Sequence, residues 1–230
     1  MDFELNEDQR AFQETARQFA ADVMAPLAAE WDAQQIFPKE VLRQAGELGF
    51  MGLYTPESES GMNLPRLDSS IILEELASAC PSTAAYISIH NMALNMVARY
   101  GSEDTRRQYC RGLVSGELLA SYCLTEPNAG SDAGSLKTRA VRDGDVYRVT
   151  GGKAFISGAG DSDVLVVMAR TGDAGPKGIT AFAIPADAPG VSYGKKEEKM
   201  GWNSQPTRAI NFDEVEVPVL ARLGEEGQGF

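Results

Sequence analysis

The hydrophobic period of this 230-residue chain changes once, near residue 118, and that change most limits how the chain can fold. In the first half, Phe12, Ala16, Phe19 and Val23 recur every three to four positions, which is the spacing of one helix face. The second half carries short apolar runs bounded by glycine, aspartate and proline, as strands do. The sequence therefore predicts an α+β protein of two domains: an all-helical domain over residues 1–117 and a β domain over residues 118–230.

Proline, glycine and serine residues mark where the helices of the first half begin and end. The first helix is predicted to run toward Pro26, and the second to begin at Pro38 and stop at Gly49. A third helix is expected over about residues 67–80, and a fourth from there toward residue 100. Ser102 has the side chain and position of an N-cap for the helix after it.

The strand-like segments after residue 118 follow one another without a helical stretch between them. Two of them flank Gly151-Gly152, a pair that predicts a hairpin turn. The segments with strand composition are Val146–Thr150, Lys153–Ser157, Val164–Met168, Ile179–Ile184, Val191–Tyr193 and Ala209–Phe212. This arrangement predicts an antiparallel barrel or sandwich, not a parallel sheet.

The charge of the chain excludes some functions. A net charge of −12 argues against a general nucleic-acid binder and against a protein that binds anionic membranes. The three cysteines lack metal-ligand spacing, and the single histidine argues against a His-based metal site or a Ser-His-Asp triad. The start, Met-Asp-Phe-Glu-Leu, lacks the basic region of a targeting peptide, and no apolar run reaches membrane-spanning length, so we expect a cytoplasmic location.

The common nucleotide-binding motifs are missing. Gly158-Ala159-Gly160 begins a Gly-x-Gly pattern, but Asp163 stands where the third glycine belongs, and a strand follows instead of a helix. No P-loop sequence occurs either. A nucleotide ligand would need a different kind of site.

The segment Tyr122–Asp132 is the most informative one for function. A strand leaves the helical half here and enters a loop of small residues with a hydroxyl at its tip, Ser131. Such a loop lets backbone N–H groups approach an anion or a flat ring closely. From the residues alone, a plain turn before a strand is the favoured interpretation, and a ligand-binding loop is the alternative.

Three ordered segments resemble the acyl-CoA dehydrogenase family, flavin enzymes that desaturate acyl thioesters. Tyr122–Asp132 is similar to the family segment that leads through Thr-Glu-Pro to Gly-Ser-Asp, with Asn128 where glycine is usual. Gly151–Ser157 resembles its "Gly-x-Lys, aromatic-Ile-Ser/Thr" strand. Gly201–Arg208, followed by Phe212, Val215 and Pro218, resembles a third family segment. The resemblance covers the whole chain and agrees with the helical-then-β pattern.

The resemblance implies two walls of an FAD site. One wall would consist of Tyr122, Cys123, Leu124, Thr125, Glu126, Pro127, Asn128, Ala129, Gly130 and Ser131. Phe155, Ile156 and Ser157 would cover the other side of the flavin ring, with the Ser157 hydroxyl near N5, and Ser131 would also touch the CoA tail. Without the other motifs, Phe155 and Ile156 would be interpreted as core residues and Ser157 as a turn hydroxyl.

The resemblance also implies what lies outside these residues. In the family, a glutamate of a C-terminal four-helix domain removes the α-proton of an acyl-CoA substrate, and the electrons pass to an electron-transferring flavoprotein. We therefore expect the catalytic base beyond Phe230, no catalytic residue within the chain, no metal, and a homotetramer for the full-length protein. Glu126, the nearest acid, is expected to be a turn carboxylate with local hydrogen bonds.

Within the family, the segments 153–170 and 202–208 are most similar to the short branched-chain members, the isobutyryl-CoA type of valine breakdown. Two other functions stay open. One is an acyl-CoA or nitroalkane oxidase on the same fold that reoxidises its flavin with oxygen. The other is a non-catalytic folded fragment that binds flavin weakly or not at all. The 230-residue chain by itself is expected to be inactive.

Overall fold

The computed structural model describes residues 4–230, and Met1–Phe3 lie outside the described residues. The part of the chain before residue 116 is helical. Its α-helices are α1 (Glu7–Phe19), α2 (Ala25–Gln34), α3 (Lys39–Glu47), α4 (Arg66–Ala79), α5 (Pro81–Tyr100) and α6 (Glu103–Ser115). Within residues 4–230, no helix combines the length and the hydropathy needed to cross a membrane.

The ends of the helices follow the predicted signals with one exception. Gly49 ends the turn after α3 with φ of 81°, and the Ser102 hydroxyl accepts a hydrogen bond from the Thr105 backbone N–H at 3.2 Å. The prediction that the first helix ends near Pro26 is wrong. A π-helical turn, Ala20–Met24, continues α1 into α2, and Pro26 lies in the first turn of α2, where a missing N–H costs little.

The rest of the chain is built from strands. They are β1 (Ala120–Cys123), β2 (Arg139–Asp143), β3 (Val146–Ser157), β4 (Val164–Arg170), β5 (Ile179–Pro185), β6 (Val191–Lys196), β7 (Thr207–Pro218) and β8 (Arg222–Leu223). Their order in the sheet is β6-β7-β3-β2-β4-β5-β8, and β1 pairs with β4. The α+β class and the predominantly antiparallel sheet are confirmed.

Two features of the sheet differ from the sequence prediction. β1 runs parallel to β4, with Ala120 opposite Val164, so the sheet is mixed. Gly151-Gly152 does not form a hairpin turn, because β3 continues through both glycines and pairs with β7 on either side of a bulge. A Cβ atom at Gly151, where φ is 147°, would lie 2.7 Å from the Thr138 Cα. The glycine therefore allows close approach of β3 to the segment just before β2, and it does not reverse the chain.

Strands β4 and β5 are the central strands of the fold, because both of their faces are buried. In β4, Val164, Val166 and Met168 pack against the helices, and the alternating residues Leu165 and Val167 face the interior of the β part. Strand alternation thus lets one run of apolar residues join two cores.

A polar junction lies where α5, α6 and β1 meet, and we call it the seam: Tyr86, His90, Leu113 and Ala120. The His90 ring bonds the Leu113 carbonyl through Nε2 at 2.9 Å and accepts the Ala120 N–H at Nδ1 at 3.1 Å. The Tyr86 hydroxyl donates to the Ala120 carbonyl. Burial lowers the pKa of His90 to about 4, so the ring is neutral at pH 7. The seam fixes where β1 leaves the helical part.

Candidate functional site

The exit of β1 and the end of β3 face each other across a small cleft. Its volume is about 180 Å³. The residues that line it, called the cleft residues below, are Ile89, Tyr122, Leu124, Thr125, Phe155, Ile156 and Ser157. The two predicted walls, although distant in sequence, therefore lie on opposite sides of one cleft. Helix α5 adds Ile89 to the lining.

Strand alternation selects which residues of the first wall reach the cleft. Tyr122 and Leu124 are half-buried and contact the core between the helices and the sheet. Cys123, between them, points the other way into the β core and is fully buried, and this burial raises the pKa of its thiol to about 12. Only the backbone of Cys123 is available to a ligand on the cleft side.

Phe155 has an unusual backbone. Its φ is 57°, in the left-handed region that aromatic residues rarely occupy, and it lies in a bulge where the pairing of β3 with β7 shifts between Lys153 and Ile156. The ring is 65% exposed. Strained positions of this kind are typical of ligand-binding sites. The bulge turns a large aromatic ring out of the sheet and onto the rim of the cleft.

Ser157 is held by hydrogen bonds from two directions. Gln205 Nε2 donates to the Ser157 Oγ at 2.6 Å, and the Ser121 hydroxyl donates to the Ser157 carbonyl at 2.6 Å. Gln205 is buried and lies just before β7. The Ser157 hydroxyl is thus fixed at the wall of the cleft.

A buried ion pair supports the first wall from behind. Lys153 Nζ lies 2.9 Å from Glu126 Oε1 and donates to the Leu124 carbonyl at 3.0 Å. The Glu126 carboxylate also accepts the backbone N–H groups of Lys137 and Thr138, at 2.6 and 2.9 Å. Because the peptide is trans, holding the Leu124 carbonyl inward turns the Thr125 N–H away from Lys153. The lysine therefore sets the orientation of a peptide at the cleft.

Burial and hydrogen bonding act in opposite directions on the charges of this pair. Burial favours a higher pKa for Glu126, but hydrogen bonds from Thr138, Lys137 and Lys153 hold the pKa of the carboxyl below its ordinary value. Burial lowers the pKa of Lys153, and Glu126 opposes that change. The direct contact between Nζ and the carboxylate favours the charged form of both groups.

The remainder of the predicted first wall lies away from the cleft. Pro127, Asn128 and Ala129 line a separate depression of about 230 Å³ beside Gly151 and Gly152. Non-glycine residues with positive φ in residues 4–230 are Gln35, Ser60, Asn63, Phe155, Trp202 and Glu214. Asn128 is not one of them, so this turn does not require glycine there.

Ser131 and the loop after it border a large groove, of about 830 Å³. Gly130, just before this loop, has no atom within 4 Å of a Cβ built on it. Arg170 fixes the groove by donating to the carbonyls of Leu136, Gly134 and Gly175, at 3.0, 2.9 and 3.0 Å. The structure thus distributes the predicted residues over the cleft and two neighbouring depressions.

No carboxylate lines the cleft among the described residues. The adjacent pocket, of about 350 Å³, shares Tyr122 and Leu124 with it and is lined without charged side chains. Glu126, the acid nearest in sequence, is 7% exposed and uses both carboxylate oxygens within the protein. Residues 4–230 therefore place no carboxylate at the cleft.

Sequence reasoning did not identify Lys153, Gln205 and Ile89 as site residues. For Lys153 a signal existed, since alternation along β3 puts it on the same buried side as Tyr147 and Val149. A charge at an inward strand position requires a buried partner. The approach of Gln205 to Ser157 depends on the pairing of β3 with β7, which no local pattern reveals.

The architecture places the chain in a class of solved proteins with a helical unit followed by a mixed sheet. A chain in the structure described as the electron transferring flavoprotein of Acidaminococcus fermentans has a TM-score of 0.93 and 36% identity, and covers 100% of this chain and 61% of its own length. The structure of PigA with FAD and proline has a TM-score of 0.95 and 31% identity, with coverage of 100% and 61%.

Family models assign the two halves consistently. The model of the acyl-CoA dehydrogenase N-terminal domain matches residues 6–117, and that of the acyl-CoA dehydrogenase middle domain matches residues 121–215. The chain belongs to the acyl-CoA dehydrogenase family.

Two curated relatives extend over almost all of the chain. The mitochondrial isobutyryl-CoA dehydrogenase of Dictyostelium discoideum is 56% identical, and that of Bos taurus is 53% identical, over 98% of this chain. The expected likeness to the isobutyryl type is confirmed. The chain spans about half the length of these relatives, 55% and 54%.

The expected cytoplasmic location is wrong, since both of these relatives are named as mitochondrial. The expectation rested on the composition of the first five residues, of which Met1–Phe3 lie outside the described part. A targeting segment is separate from the folded domains and is removed after import. The composition of a folded domain therefore does not report its compartment.

Proposed function

We propose that this chain forms the helical and β parts of an FAD-dependent acyl-CoA dehydrogenase that desaturates a short, branched acyl-CoA thioester. The cleft carries this proposal, because it unites Tyr122, Leu124 and Thr125 with Phe155, Ile156 and Ser157. A flavin, when bound, supplies the oxidising power for removal of two hydrogens from a C–C bond. The relatives named isobutyryl-CoA dehydrogenase support the substrate class.

The residues at the cleft fit a flavin in chemical type. An exposed aromatic ring, Phe155, offers a flat apolar contact, and burial raises the pKa of the Tyr122 hydroxyl, which keeps it neutral. Thr125 and Ser157 bring hydroxyl groups to the same cleft. A flat ring with polar edges needs this combination of apolar faces and fixed donors.

Each side chain then has a defined task in the proposed reaction. Phe155 and Ile156 would exclude water from one face of the ring, and Thr125 and Ser157 would hydrogen-bond its edge. Ser131, at the large groove, would orient the CoA tail. The uncharged pocket beside Tyr122 and Leu124 suits an apolar acyl group.

We propose that the base which removes the α-proton comes from outside residues 4–230. The absence of a carboxylate from the cleft supports this, together with the buried and fully hydrogen-bonded state of Glu126. In the family, the base is a glutamate of a C-terminal four-helix domain. The isolated 230-residue chain is therefore expected to be inactive, while the full-length protein is expected to be a homotetramer that passes electrons to an electron-transferring flavoprotein.

The test begins with the flavin. Full-length protein that carries this chain is purified and scanned for the visible absorption bands of bound FAD. Each of a panel of straight and branched acyl-CoA thioesters is then mixed with it, and bleaching of those bands is followed. Rapid bleaching by short branched thioesters supports the proposal, and a preference for octanoyl-CoA or longer contradicts the substrate class.

Two further measurements separate the other functions. Peroxide formed without an added electron acceptor would indicate an oxidase on the same fold. A full-length protein that folds without retaining flavin would indicate a non-catalytic scaffold. Turnover by the 230-residue chain with added flavin, lost in Glu126→Gln, would show that the base lies within this chain.

A further inference from the structure

Gln205 is hydrogen-bonded to Ser157, one of the cleft residues. Its Nε2 lies 2.6 Å from the Ser157 Oγ, and an amide nitrogen can only donate a hydrogen bond. With the amide in this orientation, Ser157 accepts at this contact. A hydroxyl carries one hydrogen, so the Ser157 hydrogen is free to be donated elsewhere.

The other hydrogen bonds around Ser157 do not use that hydrogen. On its own backbone, Ser157 accepts from Ser121 through its carbonyl, and Ser121 is itself paired with the Ser162 hydroxyl. Among residues 4–230 the structure records no acceptor for the Ser157 hydroxyl, which lines the cleft. The hydroxyl can therefore donate its one hydrogen to a ligand in the cleft.

Gln205 is firmly held in the position that this requires. Lys199 Nζ donates to the carbonyls of Trp202 and Gln205, both at 2.7 Å, and to the Thr207 hydroxyl at 3.0 Å. The Asn203 backbone N–H donates to the Asp32 carboxylate of α2 at 2.7 Å. The loop before β7 is therefore fixed to both the helical part and the sheet.

The amide oxygen of Gln205, in contrast to Nε2, makes no hydrogen bond within the described residues. Gln205 is 4% exposed, and within the described part of the chain its Oε1 has no hydrogen-bond partner. A buried acceptor without a partner is unfavourable for folding. Nε2 is thus the end of the Gln205 amide that is hydrogen-bonded, and its partner is the cleft residue Ser157.

We propose that Gln205 is a positioning residue that makes Ser157 a hydrogen-bond donor to the flavin in the cleft. The inference rests on the proposed function and deepens it, since it assigns the polarity of one contact with the cofactor. A donor fixed before reaction stabilises negative charge that develops on its partner. Gln205 would act through Ser157 without touching the flavin.

The experiment uses the full-length flavoprotein with three single variants. Gln205→Glu has nearly the same shape but accepts from Ser157, which takes the hydrogen away from the cleft. Gln205→Met removes both polar ends, and Ser157→Ala removes the donor itself. For Ser157→Ala and Gln205→Glu, we expect flavin reduction by saturating substrate to slow roughly 10- to 100-fold, as for loss of a hydrogen bond to a charged group. Substrate affinity should stay within about threefold, because neither variant alters the acyl pocket.

The double variant Ser157→Ala/Gln205→Met distinguishes this role from a structural one. If Gln205 acts through Ser157, adding Gln205→Met to Ser157→Ala leaves the reduction rate and the visible bands of the bound flavin unchanged. The dissociation constant of FAD and the thermal midpoint, measured for every variant, report folding separately. Should Gln205→Met fail to fold, the near-isosteric Gln205→Glu carries the test.

The possible failures are distinct. If the wild-type protein retains no FAD, the proposed function is wrong. If it retains FAD and Gln205→Glu has wild-type bands and reduction rate while Ser157→Ala does not, Gln205 has no positioning role and only this inference falls.

Discussion

The seam and the ion pair behind the cleft are both polar and buried, yet the two regions are built in opposite ways. At the seam, His90 and Tyr86 are neutral and bond backbone atoms of α6 and β1. At the cleft, a charged pair, Lys153 and Glu126, holds the first wall, and Phe155 has a strained backbone in the second. The seam holds neutral groups on an unstrained backbone, while the cleft is supported by a buried ion pair and a residue with positive φ.

This difference separates stability from function. Neutral hydrogen bonds in a buried junction cost little desolvation and serve the fold. A buried ion pair contributes little net stability compared with an apolar pair of similar size, and a positive φ at an aromatic residue is unfavourable. Local departures of this kind are expected where a protein keeps a shape for a ligand. Variants at each region can test this division.

The largest effect is expected at the ion pair. Lys153→Met leaves the Glu126 carboxylate buried without its partner and should lower the free energy of unfolding by about 3–5 kcal/mol. The double variant Lys153→Met/Glu126→Gln should recover part of this loss, because the uncompensated charge is gone. Urea unfolding of the three proteins at pH 7 measures both changes.

Arg148→Met is the matched control for Lys153→Met. Arg148 lies on the same strand, β3, and is paired with Glu216 and Asp143, but on the exposed face. Exposed pairs contribute little. Equal losses for Arg148→Met and Lys153→Met would contradict the view that burial of the pair decides its energetic role.

The second prediction is that acid destabilises the seam at a higher pH than it destabilises the ion pair behind the cleft. Burial lowers the pKa of His90 from 6.5 to about 4, so below pH 6.5 the unfolded chain takes up a proton that the folded chain does not. Stability should therefore fall as the pH drops from about 6.5 to 4, by a total of about 3 kcal/mol. Glu126 has a folded pKa below its ordinary value of 4.5, so its protonation reduces stability further only below about pH 4.5.

His90 is the only histidine of the chain, which makes this pH range diagnostic. Urea unfolding of the wild type between pH 7 and 5 should show the slope, and His90→Gln should remove it while lowering stability at pH 7. A slope that persists in His90→Gln would assign the pH dependence to carboxylates instead of the seam.

Sequence reasoning predicted what depends on local pattern. The change of period near residue 118, the glycine stop at Gly49 and the Ser102 cap are all local, and each was confirmed. The continuation of helix past Pro26 and of β3 through Gly151 was missed, because packing against neighbouring elements overrode the local signal. The family motifs indicated both walls of the cleft, whereas the contacts of Lys153 and Gln205 are between residues distant in sequence and arise only on folding.

The smallest expected effect on stability, with the opposite sign, is at Phe155. A side chain in the left-handed region is unfavourable by about 1–2 kcal/mol, and glycine avoids this but loses about 0.5–1 kcal/mol of chain entropy on folding. Because the ring is mostly exposed, its removal costs little packing. Phe155→Gly should therefore leave the full-length apoprotein as stable as the wild-type apoprotein, or up to about 1 kcal/mol more stable.

Phe155→Ala supplies the comparison, since it removes the ring and keeps the Cβ atom and the strain. If the strained bulge exists to present the ring to a flavin, both variants should weaken FAD binding, by titration of apoprotein, while only Phe155→Gly gains stability. A Phe155→Gly protein that unfolds more readily than Phe155→Ala would show that the bulge is relaxed. A Phe155→Ala protein with unchanged FAD affinity would show that the ring serves something other than the cofactor. Either result would show that Phe155 is not a strained residue kept for a cofactor, and the second wall would then not differ from the seam in this way.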